Sequence, residues 1–319
     1  MSPPGVRVGV VGVGALGQHH ARVYATLPGA RFVGAYDLQP GRAQEVAARH
    51  GARAYSSLPE LLGDVDAVTV AVPTVDHLAV CRSVLEAGKD VLVEKPITAT
   101  LQEADELIGL AAARSAVLQV GHIERFNPAA DVLRAAVRTP RFIEVHRLGS
   151  FSPRSLDIDV VLDLMIHDLD IVLSLDGSEA VQVDAVGVAV LTPKVDIASA
   201  RLRFASGLIA NLTASRVSAE KVRKFRVFAP RIYISADFAA REAQVYRLGE
   251  SQGSGLPEIR TERTPAPHGP EAEPLRRQLA SFVEAVRVRG HPAVSGEEGR
   301  RALGLAHTIL ARIGTPDPG

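Results

Sequence analysis

An α/β domain with a parallel sheet, followed by an α+β domain with a large, open, mostly antiparallel sheet, is the fold class the sequence predicts, on three observations. The apolar run Val6-Arg7-Val8-Gly9-Val10-Val11 leads directly into Gly12-Val13-Gly14-Ala15-Leu16-Gly17. Up to about residue 120, short β-rich runs alternate with helical patterns, as parallel strands joined by covering helices do. Beyond about residue 140, strand follows strand. At 319 residues the chain is long for one core and suits two. The expected division is 1–122 and 123–319, with the C-terminal helices able to pack back on the first domain.

Each element has its reason. Gly12 permits the tight turn out of the first strand, Gly14 a close backbone approach to a pyrophosphate, and Gly17 close packing of the new helix on the sheet; the N–H groups that open this helix, with Ala15 and Leu16, face the phosphates. The next strand, Arg31 to Tyr36, delivers Asp37 where a carboxylate meets both hydroxyls of an adenosine ribose. Leu38 and Gln39 follow, with no cation to receive a 2′-phosphate, so NAD rather than NADP is expected, although Arg42 softens that choice. A strand over Asp66–Val72, a helix over Val75–Ala87 closed by Gly88, a strand over Asp90–Val93 and a helix over Leu101–Arg114 complete a Rossmann-like domain. Pro73 and Pro96 each end a strand at the edge where ligands bind in open α/β sheets.

In the second half, strands are expected over Arg141–Leu148, Val181–Val190, Ile197–Phe204, Gly207–Ala214, Val222–Phe228 and Ile232–Ala236. Ala200-Arg201-Leu202-Arg203-Phe204 shows the alternation of a sheet with one face wet or partnered. Residues 249–274, rich in Gly, Pro, Glu and Ser, read as a mobile surface loop or lid. Leu275, Leu279, Phe282, Val283 and Val286 form a helical stripe, and a last helix covers roughly 299–313.

Composition narrows the partners. Lys plus Arg and Asp plus Glu both number 36, so no charge excess advertises nucleic acid or an anionic membrane, and a small-molecule substrate is expected. The single cysteine, Cys81, has no internal disulfide partner and sits in an apolar helical pattern, as a buried thiol does. No apolar run approaches the roughly 20 residues that span a bilayer, and a cytoplasmic protein is expected.

Two segments carry candidate chemistry. A helix over Ile158–Leu175 is largely apolar, and Asp159, Asp163, His167 and Asp170 recur along it four, four and three residues apart on one face. One reading is a proton-transfer dyad in which His167 takes a hydroxyl proton while Asp163 orients the imidazole; a metal site and a solvent-facing stripe are the others. Val93-Glu94-Lys95-Pro96 places a lysine at the carboxyl end of a parallel strand, either to stabilise an oxygen that becomes a carbonyl or as an ordinary surface lysine.

The nucleotide-binding N-terminus, Ala71-Val72-Pro73-Thr74 with His77, Glu94-Lys95-Pro96, and Asp163-x-x-x-His167 together resemble the glucose-fructose oxidoreductase, inositol dehydrogenase and rhizopine-catabolism (Gfo/Idh/MocA) family over nearly the whole chain. The resemblance implies Lys95 and His167 as the catalytic pair supported by Asp163, a cofactor lined by Pro73, Thr74, His77, Glu94 and Lys95, no metal, and a homodimer or homotetramer formed through the open sheet face. Gly121-His122-Ile123-Glu124-Arg125-Phe126-Asn127-Pro128 and Ser215-Arg216-Val217-Ser218, with Arg223 nearby, are similar to bacterial members that act on nucleotide sugars, UDP-N-acetylglucosamine in particular, and imply a 3-keto sugar as product. Arg125, Arg216 and Arg223 are forks suited to phosphate, or else solvated. Asn127 either touches substrate or caps the helix beginning near Pro128. An inositol or free-sugar dehydrogenase, and a dinucleotide sensor without catalysis, are the alternatives.

Overall fold

The computed structural model describes residues 5–151, 158–249, 258–265 and 269–314. The chain divides into two compact units, 1–123 with 273–300, and 124–272 with 301–319.

In the first unit, β1 (Val6–Val11), β2 (Ala30–Tyr36), β3 (Arg53–Ala54), β4 (Ala67–Val70), β5 (Asp90–Glu94) and β6 (Leu118–Gly121) form a six-stranded sheet in the order β3-β2-β1-β4-β5-β6, parallel throughout. The strands read as continuous apolar runs because helices cover both faces of such a sheet. The strand order reverses between β1 and β4, which opens a crevice at their carboxyl ends, where the glycine loop lies. Helices α1 (Gly17–Tyr24), α2 (Pro40–Arg49), α3 (Leu58–Asp64), α4 (His77–Glu86) and α5 (Leu101–Ala113) connect the strands. Ser57 caps α3, and Thr100 with Glu103 closes a capping box on α5, so two helix starts are fixed by local sequence alone. Cys81 is a free, buried thiol, which burial pushes far up from its ordinary pKa.

The second unit opens with α6 (Pro128–Ala136) and β7 (Phe142–Leu148). A π-turn over Val161–Met165 leads into α7 (Ile166–Asp176), and β8 (Ala180–Val188), β9 (Ile197–Phe204), β10 (Ile209–Ser215), β11 (Val222–Ala229), β12 (Ile232–Asp237), β13 (Glu242–Leu248) and β14 (Ile259–Thr264) follow. The eight strands pair in the order β14-β13-β12-β11-β7-β10-β9-β8, antiparallel except for β7 with β10. Strands β13 and β14 were not anticipated: β14 lies inside the stretch expected to be a loop, and its side chains are exposed, so it lacks the apolar alternation that marks a half-buried strand. Of the rest of that expected loop, Pro270–Ala272 forms a 3₁₀ turn and Pro274 begins a helix, while 250–257 and 266–268 lie outside the described residues.

After β14 the chain returns to the first unit as α8 (Pro274–Val288), whose Leu279, Phe282 and Val283 pack with Val8, Val10 and Tyr24. Then α9 (Gly296–Ile313) carries Ala302, Leu305, Ala306 and Ile309 into the core of the second unit, with α6, α7 and one face of the large sheet. The other face carries an aromatic ladder, Phe142, Phe228, Tyr233 and Tyr246, with successive ring centroids 5.6, 4.7 and 5.3 Å apart. Among the described residues no helix is long and apolar enough to cross a membrane.

Candidate active site

The glycine loop is built by steric necessity. Gly12 has φ +79°, and a Cβ there would meet the Ala71 carbonyl oxygen at 2.8 Å; a Cβ on Gly17 would overlap the carbonyl oxygen of Gly12. Gly14 has open space apart from the Arg42 guanidinium, and Ala15 and Leu16 are exposed. No side chain caps α1, and its Gln18 and His19 N–H groups donate to the carbonyls of Gly14 and Leu16, which closes the loop onto the start of the helix. Asp37 is buried: one carboxylate oxygen accepts the Val13 N–H at 2.9 Å and the other the Gln39 N–H at 2.8 Å, which pins the acid beside the loop. Arg42 Nη1 lies 3.7 Å from Asp37. These residues fit a dinucleotide, with Gly12 to Gly17 holding the pyrophosphate and Asp37 the ribose.

The carboxyl ends of β4 and β5 are tied together beneath it. Pro73 and Thr74 form the turn after β4, and His77, buried at the start of α4, places Nδ1 2.9 Å from the Pro96 carbonyl and Nε2 3.1 Å from that of Val72. Burial lowers the His77 pKa, against the pull of those carbonyls, so the ring is neutral and donates to one of the two. Glu94 ends β5 with Oε1 3.1 Å from His20 Nε2 on α1, in space that only a glycine at 121 leaves open. Burial alone would raise the Glu94 carboxyl; the His20 hydrogen bond, with Lys95 nearby, outweighs it and holds the group below the usual carboxylate value. Half-buried Lys95 follows, joined to Pro96 by a cis peptide bond.

In the second unit the expected regular helix over 158–175 is interrupted. The Ile166 N–H reaches back to the Val161 carbonyl, the spacing of a π-turn, and such turns recur at functional sites. Asp163 lies within this turn and His167 one residue into α7, both half-buried. Asp159 and Asp170 do not share their surroundings. Asp159 accepts the Val195 N–H at 2.9 Å, whereas Asp170 is buried and gripped by Arg125 through Nε at 2.7 Å and Nη2 at 3.0 Å. The four-four-three stripe therefore splits into separate tasks.

Asp168, next to His167, is part of a buried network absent from the sequence expectations. Arg147 on β7 holds Asp168 with two bonds of 2.7 Å and Glu124 with one of 2.9 Å. Burial opposes charge on Arg147, and the two carboxylates outweigh it, so the guanidinium is held charged. Asn127 caps α6 by accepting the Ala129 N–H at 3.1 Å and donates to Glu124 and the Phe238 carbonyl, each at 2.9 Å. Arg223 approaches Glu124 at 3.7 Å with its side chain 39% exposed. The structure thus ties Asn127 and Arg223 to Glu124 and, through Arg147, to Asp168, while Arg125 pairs with Asp170.

Arg216 sits in a different cluster. It donates to Asp196 at 2.8 Å and to the Ile158 carbonyl at 2.8 Å, while Asp196 also accepts the N–H groups of Val190, Leu191 and Thr192 at 2.9, 2.7 and 2.8 Å. Burial would raise Asp196, yet these donors hold it well below the ordinary carboxylate value. A carboxyl whose pKa is lower folded than unfolded contributes stability that is present above the unfolded value of about 4 and lost as pH falls through the folded one. Asp196→Asn should cost about 3 kcal/mol at neutral pH. Urea unfolding across a pH series should show the gap to the parent closing in strongly acid solution; a gap indifferent to pH would contradict this.

Comparison with known proteins decides the family. Residues 6–122 match the oxidoreductase family with an NAD-binding Rossmann fold, and residues 132–234 match the Gfo/Idh/MocA C-terminal domain. Over 309 residues, 97% of each chain, the sequence is 43% identical to UDP-N-acetylglucosamine 3-dehydrogenase of Acidithiobacillus ferrooxidans. The chain belongs to the Gfo/Idh/MocA oxidoreductase family. A solved structure of the A. ferrooxidans enzyme superposes with a TM-score of 0.91 and 42% identity, covering 98% of both chains. The NAD-dependent scyllo-inositol 2-dehydrogenase of Bacillus subtilis is 33% identical over 232 residues, 67% of this chain and 68% of that one. As a Gfo/Idh/MocA member the chain is a dehydrogenase with NAD as its cofactor, which the glycine loop and Asp37 fit. Among the described residues no group of three or more His, Cys, Asp or Glu could hold a metal ion.

Proposed function

We propose that the chain oxidises the 3-hydroxyl of UDP-N-acetylglucosamine to a ketone. The likeness to the A. ferrooxidans enzyme carries the proposal, because 43% identity runs through both units and is not confined to the cofactor-binding one. Bound NAD⁺ supplies the hydride acceptor, and the rest of the step falls to side chains of this chain. His167 takes the hydroxyl proton as the C–H bond yields its hydride, Asp163 orients the imidazole and stabilises its charged form, and Lys95 donates a hydrogen bond to the oxygen that becomes the carbonyl. Glu94, held below the usual carboxylate value, keeps a negative charge beside Lys95. For the diphosphate, Arg223 is the best placed of the sequence candidates: its fork is partly exposed, whereas Arg125 and Arg216 are gripped by Asp170 and Asp196.

The test is NADH formation with UDP-N-acetylglucosamine, UDP-glucose, myo-inositol and free hexoses, in the presence of a ketone trap, with UDP as competitor. Turnover confined to the UDP-N-acetyl sugar and inhibited by UDP supports the proposal. Turnover with inositol alone, indifferent to UDP, would replace it with the reading that the B. subtilis relative suggests.

We further propose that a second copy of the chain covers the open face of the large sheet, in the cytoplasm. The ladder of Phe142, Phe228, Tyr233 and Tyr246 offers apolar area suited to an obligate interface. Light scattering should report a dimer or tetramer; a monomer at working concentration would remove this interface.

A further inference from the structure

The first unit has a second charged cleft, at the end of its sheet opposite the glycine loop. It encloses about 510 Å³ between the amino ends of the strands and the end of α8, a volume in the range of small-molecule sites. Strand β1 is six residues long, so this cleft lies roughly 20 Å from Gly12. Five cations line it, Arg7, Arg31, Lys89, Arg287 and Arg289, against two carboxylates, Asp66 and Asp90.

Both carboxylates are committed. Asp66 accepts the Arg7 N–H at 2.9 Å and its guanidinium at 2.6 and 3.2 Å. Asp90 accepts the Val117 N–H at 2.7 Å and Arg289 Nη1 at 2.6 Å. Arg287 is held from outside the cleft by Glu284 at 2.6 and 2.8 Å. Arg31 and Lys89 have no side-chain hydrogen bond or ion pair among the described residues. Even with Glu284 counted, the cleft keeps an excess of two positive charges.

The backbone adds an independent sign. Arg289 has φ +53° and Ser115 φ +49°, a region that residues with side chains rarely enter. The two meet, since Arg289 Nη2 donates to the Ser115 carbonyl. The position after a helix that adopts this conformation ordinarily belongs to glycine, and here Gly290 stands one residue too late. The chain places an arginine where a glycine is easier, and the strain aims its guanidinium into the cleft; strained backbone concentrates at functional sites.

We propose that this cleft binds a phosphorylated small molecule carrying two or more negative charges, at a site separate from NAD. Arg7 and Arg289 are braced by carboxylates and present fixed charge, while Arg31 and Lys89 are available to grip phosphate oxygens. The modest size of the cleft and the zero net charge of the chain favour a compact phosphate ester over nucleic acid.

Calorimetric titration of inorganic pyrophosphate into the whole protein saturated with NADH, at fixed ionic strength, tests this. Saturable one-site binding is expected, weakened about tenfold or more by Arg31→Glu with Lys89→Glu, with NADH affinity unchanged. Arg289→Gly, which relieves the backbone but takes away the cation paired with Asp90, should weaken it as well. Absence of pyrophosphate binding to the NADH-loaded protein, or binding that survives both variants, would overturn the proposal.

Discussion

Lys95→Ala and His167→Ala should each lower kcat by about 10²–10⁴-fold, the usual contribution of a positioned acid or base, while leaving NADH binding intact. The expectation rests on where each side chain is anchored. Lys95 follows a strand end that is tied to α1 through Glu94 and His20 and to α4 through His77, all of them buried, so removing its amine leaves the cofactor cradle in place. His167 stands beside Asp168, which Arg147 fixes with two bonds, so the helix keeps its rotation when the imidazole is lost. A base lost from the site should also flatten the acidic limb of the kcat profile, a change that a general loosening of the fold would not produce. NADH titration by fluorescence, with steady-state kinetics across pH, separates the cases. Wild-type turnover in either variant would refute the role given to that residue.

Arg147→Met should destabilise the second unit by about 3–5 kcal/mol, since it leaves Asp168 and Glu124 buried without their shared cation. For a chain of this size that corresponds to a fall of roughly 10 °C in Tm. Replacing Glu124 and Asp168 with uncharged residues in the same background should restore most of the loss, because the cost lies in stranded charge and not in missing packing. A loss under about 1 kcal/mol in the single variant would show that water reaches the network and screens it.

The first unit was legible because its constraints are local. Gly12, Gly14, Gly17 and Asp37 lie within one β-α-β stretch, and their spacing alone encodes a turn, a close approach and a carboxylate. The second site was only half legible. Asp163 and His167 emerge from helical spacing, but the π-turn that carries Asp163 is set by tertiary packing and leaves no periodic trace. Arg125 and Arg216 read as phosphate forks, and their partners stand 45 and 20 residues away, beyond the reach of any local pattern. Asp168 was given no role because it falls off the four-four-three spacing, and Arg147 because an arginine between His146 and Leu148 reads as an outward residue, whereas it shares the buried face of Ile143 and Val145. Strand β13 could have been found, since Ala243 and Val245 alternate with polar neighbours.

The return of α8 to the first unit has a consequence for the order in which the protein comes into being. Once residue 123 has left the ribosome, all six strands of the parallel sheet are present but not Leu279, Phe282 and Val283, which complete the packing around Val8 and Tyr24. The second unit in turn waits for Ala302, Leu305 and Ile309. The first core therefore closes only after residue 286 and the second only after residue 309, and a nascent protein interrupted before residue 274 would display two unfinished apolar faces at once.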